Sequence, residues 1–119
     1  MISIVGIKST GSSDYFHHFI SLDHPELKIY LRDNKKDGGL TSSYNMEILA
    51  KRQSFKISKV LVEDEVKRDD KKYLKFVHDN LNALKLEIEE DGETKKFIIL
   101  FQDVEILDIW HDELKVFAV

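Results

Sequence analysis

Five histidines, His17, His18, His24, His78 and His111, are the side chains of this sequence best suited to move a proton at neutral pH. Their spacing argues against a shared task. His17 and His18 are adjacent, so on a strand or a helix they point in different directions. His24 falls in a turn signal, and no pair has the i, i+4 spacing of a helical chelate. His111 is followed by Asp112 and Glu113, and a carboxylate beside an imidazole can orient it. Three consecutive residues, however, rarely converge on one ion. The sequence thus predicts no metal site and no cofactor. If proton transfer is hidden here, Tyr15, His17, His18 and His111 are the groups to test.

Other chemistry-bearing patterns are weaker. Gly6-Ile7-Lys8-Ser9-Thr10-Gly11 has the G-x-x-x-x-G spacing of a phosphate loop, but Ser12 and Ser13 stand where the motif needs its lysine and hydroxyl residue. It reads as a chance match. There is no nucleophile elbow, and no catalytic residues are assigned. The expectation is a protein that is not an enzyme.

The carboxylates carry more information. Residues 84–119 hold ten of them against four lysines, whereas residues 1–83 hold 14 bases and 12 acids. A one-signed region attracts the opposite sign and repels its own. Glu87, Glu89, Glu105, Asp108, Asp112 and Glu113 are therefore the candidate partner-binding residues, with Trp110 as an aromatic anchor. Tyr30, Tyr44 and Phe16 are further aromatic candidates. The competing reading of the same residues is a solvated surface that keeps the protein soluble.

These side chains need elements to hold them. Ile2–Ile7 reads as an opening strand, and 9–13 as a loop. Residues 15–22 and 27–31 alternate around Asp23-His24-Pro25-Glu26, which suggests a hairpin. Residues 33–39 form a polar, glycine-containing loop. Residues 44–50 read as a strand, although Met46–Ala50 also fits a helical turn. Residues 55–62 are a strand rich in β-branched side chains. Tyr73, Leu74, Val77, Leu81 and Leu84 recur at the helical period and predict the main helix. The remainder reads as β: 84–89, a turn at Asp91-Gly92, the wholly apolar Phe97–Phe101 as a central strand, then 104–110 and 114–119 with His111–Glu113 as their turn. An apolar C-terminal run is expected to dock into a sheet.

The expected architecture is α+β, a mostly antiparallel curved sheet of seven or eight short strands packed against one main helix at about 65–83, in a single domain over 1–119. Hydrophobic residues make up 42% and charged residues 34%, which suits a folded globular chain. With no cysteine, disulfides and thiolate metal sites are excluded. No signal peptide or membrane-length apolar run is visible, so the expected setting is cytoplasmic. A net charge of −4 disfavours nucleic acid as a partner. The lysine- and arginine-containing runs at 51–59 and 67–75 read as solvated faces carrying ion pairs.

In size, charge and composition the chain resembles a bacterial immunity protein or antitoxin. That resemblance implies direct binding to a basic, nuclease-like toxin, by a monomer or small homo-oligomer. Two alternatives remain open: a small enzyme or ligand-binding half-barrel with a histidine-lined pocket, and an oligomer-forming subunit of phage or secretion machinery that pairs through edge strands.

Overall fold

A computed structural model describes residues 1–9, 16–31, 39–61 and 82–119. Its elements are β1 (Ile2–Ser9), β2 (Phe16–Asp23), β3 (Glu26–Leu31), β4 (Leu40–Asn45), α1 (Met46–Lys51), β5 (Phe55–Leu61), β6 (Asn82–Glu90), β7 (Glu93–Leu100) and α2 (Val104–Lys115). The fold is α+β. The seven strands among the described residues form one sheet in the order β4-β3-β2-β1-β7-β6-β5, and every neighbouring pair is antiparallel.

Alternation along each strand decides which side faces the core. Val5 and Ile7 of β1, Ile20 and Leu22 of β2, Leu27 and Ile29 of β3, and Leu84, Leu86 and Ile88 of β6 are all buried in one cluster. The sheet is curled around that cluster, so that Tyr44 of edge strand β4 meets Phe97 of β7 edge-on, with ring centroids 6.2 Å apart. Helix α1 joins the two edge strands in sequence and buries Met46 and Leu49 in the same core. Asn45 caps it, its side chain accepting a hydrogen bond from the Ile48 amide at 3.2 Å.

The hairpins follow their turn signals. β2 and β3 pair from His18↔Leu31 to Asp23↔Glu26 around His24-Pro25, whose peptide bond is cis. β6 and β7 turn on Asp91 and Gly92, both with positive φ (52° and 78°), the conformation that a two-residue Asp-Gly hairpin turn requires. β7 is covered on both faces: Phe97 and Ile99 lie in the core, and Ile98 and Leu100 on the other face are also buried. Gly6 is a ladder residue of β1, opposite His17 on one side and Leu100 on the other, so the G-x-x-x-x-G spacing begins inside a strand.

Two assignments are corrected. Residues 46–50 are helical, and β4 ends at Asn45. The larger correction concerns residues 104–119, expected as strands at 104–110 and 114–119 around a turn at His111–Glu113: residues 104–115 form helix α2, and 116–119 follow it without forming a strand. Val104, Ile106, Asp108 and Trp110 alternate as a strand would, but Leu107, Trp110, Leu114 and Phe117 step by three, four and three, and these are the buried ones. Asp103 supplies the helix start, accepting from the Glu105 amide at 2.8 Å, and Lys115 lies in the last turn, where the dipole favours a cation. Beyond α2 the chain docks beside the sheet, with Val119 donating its amide to the Phe55 carbonyl at 3.0 Å. Of the loops expected at 9–13 and 33–39, Ser9 is the last residue of β1 and Gly39 is described with a positive φ of 82°; the rest of both loops, and the main helix expected at about 65–83 except its final two residues, lie outside the described residues. The last two positions of that range belong to β6.

Candidate interaction site

Helix α2 is amphipathic in an unusual way. One stripe, Leu107, Trp110 and Leu114, is fully buried against the inner face of the sheet. At 100° per residue the opposite side carries Glu105, Ile109, Asp112 and Val116 in one row, with Ile106 and Glu113 beside it. All six are exposed. Ile109 and Val116 retain 52% and 71% of their accessible surface, and Ile106 39%, which is costly exposure for aliphatic side chains. The helix thus presents carboxylates and aliphatic groups interleaved along its solvent face.

The electrostatics of this face are uneven. Asp112 accepts from Lys115 Nζ at 3.0 Å, one turn on. That hydrogen bond and the lysine's charge hold the Asp112 carboxyl below the usual carboxylate range; burial opposes them, and His111 and Lys59 add smaller lowering effects. Asp108 is tied to Lys59 of β5 at 2.7 Å, which pins the helix to the sheet edge. Glu105 and Glu113 make no ion pair among the described residues. From Asp103 to Val116 there are five carboxylates and one lysine.

The other expected partner-binding residues lie elsewhere. Glu87 and Glu89 stand on the outward side of β6, because Leu86 and Ile88 between and beside them point into the core. The helix packs on the inner side, so these two do not share a face with Glu105, Asp108, Asp112 and Glu113. Glu87 is moreover flanked in register by Lys56 of β5 and Lys96 of β7, with Lys85 Nζ at 3.8 Å. Its charge is largely matched by its neighbours. Glu89 lies opposite Thr94 and borders, with Glu87, Gln53, Ser54, Lys56 and Thr94, a groove of only about 60 Å³.

Trp110 is corrected as an anchor. It is completely buried, its ring is 6.4 Å from that of Phe101, and its indole N–H donates to Ser3 Oγ at 2.8 Å. Its place on the buried stripe of α2 removes it from any surface. Tyr44 is buried as well, and its hydroxyl has no hydrogen-bond partner among the described residues. The aliphatic residues Ile106, Ile109 and Val116 were not singled out by sequence reasoning. The signal that finds them is the helical period itself, which leaves them off the buried stripe.

Among the described side chains, His18, His24 and His111 do not converge. His18 lines a pocket of about 420 Å³ whose apolar wall is Ile7, Ile29 and Phe97, and whose rim includes Glu93 and Lys95. His24 contacts the Phe117 ring at 5.3 Å between centroids and lies 3.8 Å from Glu47. His111 is on α2, 3.8 Å from Asp112. Tyr15 and His78 fall outside the described residues. Among the described residues no three histidine, aspartate or glutamate side chains are grouped to hold a metal ion, and no helix is long and apolar enough to cross a membrane.

No family model matches the chain, and no curated protein matches it. Solved structures of the Vav1 exchange factor share its fold. A structure of Vav1 inhibited by an allosteric inhibitor aligns at TM-score 0.62 with 18% identity, covering 98% of this chain and 25% of that one. The apo activated truncation of Vav1 aligns at TM-score 0.62 with 17% identity, again over 98% and 25%. A third, described as showing a critical structural role for the PH and C1 domains of Vav1, aligns at 0.58 with 15% identity over 98% and 24%. The chain spans about a quarter of the length of these Vav1 chains.

Proposed function

We propose that this chain is a non-catalytic binding protein acting in the cytoplasm, and that its partner is a basic protein. Inhibition of a nuclease-like toxin, in the manner of an immunity protein or antitoxin, is the form of this function that best suits its size and charge. The observation that carries the reading is the solvent face of α2, where exposed carboxylates alternate with exposed aliphatic side chains. Complementary charge speeds encounter and rejects wrong partners, while apolar contact area supplies affinity. The absence of cysteine from the sequence suits a reducing compartment. The Vav1 likeness contributes only the fold.

The test is capture from the native organism's lysate at low and moderate salt, followed by mass spectrometry and measurement of the purified pair. A basic protein held stoichiometrically and loosened by salt is the expected result. The reading is wrong if purified candidates show no saturable, salt-sensitive binding. A second reading is favoured by the pocket beside His18, whose apolar wall and polar rim suit a small amphipathic molecule. Ligand-induced stabilisation that disappears in His18→Leu supports that alternative.

A further inference from the structure

The exposed side of α2 has a finer order than alternation. Ile106, Ile109, Glu113 and Val116 are spaced three, four and three residues apart. That is the a-d-a-d spacing of a coiled-coil seam. Three of its four positions are aliphatic and exposed, and the fourth is a carboxylate. Glu105 and Asp112 each precede an a-type position, which is where g-position charges select a partner in such seams. The opposite flank of the seam is Trp110, already committed to the core. The seam is thus charged on one side only, with a negative residue inside it.

Resting on the proposed binding function, we infer that the docking surface is this seam and that its occupant is an amphipathic helix of the partner, apolar along its own a/d positions and carrying lysine or arginine toward Glu105, Asp112 and Glu113. The charge pattern selects among possible occupants. A second copy of this chain, docked through the same face, sets a helix with four carboxylates and one lysine against its duplicate. Glu113 is then buried near like charges, which is unfavourable in a desolvated seam. A wholly apolar helix leaves Glu113 desolvated without a counter-ion. A basic residue opposite Glu113 removes both problems, and it fixes the register as a single polar a-position does. Asp112 remains available for this contact, because its lysine partner, Lys115, is itself exposed and can be displaced.

The inference is tested with a synthetic helical peptide of about three heptads, leucine at a and d and lysine on the flanks, and a scrambled peptide of identical composition. Binding to the full chain is followed by fluorescence anisotropy and by amide shifts in NMR spectra. The variants are Ile109→Ser, on the seam and exposed, and Asp112→Lys; Glu89→Lys is the control on the other surface. The expected result is saturable binding of the patterned peptide, weakened roughly tenfold or more by either seam variant and by scrambling. The control variant leaves it unchanged, and the shifts lie along 105–116. Equal binding of the scrambled peptide, binding indifferent to both seam variants, or no binding overturns the inference. So does concentration-dependent dimerisation abolished by Ile109→Ser, which makes a second copy the occupant. The same seam variants are used in the lysate capture. A basic partner retained equally by wild type and both variants overturns the seam and leaves the binding function standing. A chain that binds the patterned peptide but engages no basic protein supports the seam and overturns the broader function.

Discussion

The pairing of Trp110 with Ser3 shows how one hydrogen bond fixes the way a helix meets a strand. The indole is wholly buried, and its only donor is satisfied by a hydroxyl at 2.8 Å across 107 residues of sequence. Ser3→Ala leaves that buried donor without its partner, and is expected to cost about 1–2 kcal/mol in chemical denaturation. Tyr44 is the converse case. Its buried hydroxyl has no partner among the described residues, while its ring packs on Phe97. Removing the hydroxyl and keeping the ring, as in Tyr44→Phe, should leave stability unchanged or raise it by up to about 1 kcal/mol. A loss of stability in that variant refutes the assignment of an unsatisfied group. Asp112 differs again, because its partner is at the surface. Its carboxyl is held low by Lys115, so the stabilising contact is present above the ordinary aspartate range and is lost as pH falls through the lowered folded value. Lys115→Met should move the Asp112 titration upward in carboxyl-detected NMR.

At the scale of elements, the sequence made some features plain and concealed others. Asp91-Gly92 announced its hairpin because only residues tolerant of positive φ serve there. Phe97–Leu100 announced a doubly covered strand because it offers no polar position. Helix α2 was concealed because aliphatic residues occupy both its buried stripe and its solvent face. A helix with Ile106 and Ile109 outside and Leu107 and Trp110 inside has apolar residues at almost every spacing, so the alternating pattern of a strand is satisfied by accident. The deciding local signal was Asp103, whose side chain caps the first turn. Asp103→Ala should therefore destabilise the chain by about 1 kcal/mol, and fray the start of α2 in amide exchange. Glu90 and Glu93 face each other across the β6–β7 ladder beside that hairpin. Glu90→Lys replaces a like-charge pair with an opposite one and should add a few tenths of a kcal/mol. The misreading of α2 also changes how the carboxylates group, since a strand at 104–110 puts Glu105 on a sheet face with Glu87 and Glu89, whereas the helix sets it on the other side of the core.

Across the whole molecule, a single acidic region of sequence becomes two surfaces separated by the core. Proximity in sequence said that ten carboxylates lie within 84–119; it could not say which way each faces. The outward side of β6 interleaves Glu87 with Lys56, Lys85 and Lys96, so its field is largely cancelled at short range. Among the described residues, the lysines paired with carboxylates of α2 are Lys59 and Lys115, and Glu105 and Glu113 make no ion pair. Over a distance of about 10 Å at 0.1 M salt, only an uncompensated cluster projects an attractive potential. The two surfaces should therefore respond differently to the same change in net charge. Glu105→Lys with Asp112→Lys and Glu87→Lys with Glu89→Lys each alter the formal charge by the same amount. With the basic partner in hand, stopped-flow association should slow several-fold for the α2 pair, and its dependence on salt should flatten. The β6 pair should associate at close to the wild-type rate. Equal slowing by both pairs means that overall charge steers the encounter and α2 has no special part. Slowing confined to the β6 pair moves the contact to the outer sheet, beside the groove bordered by Glu87 and Glu89.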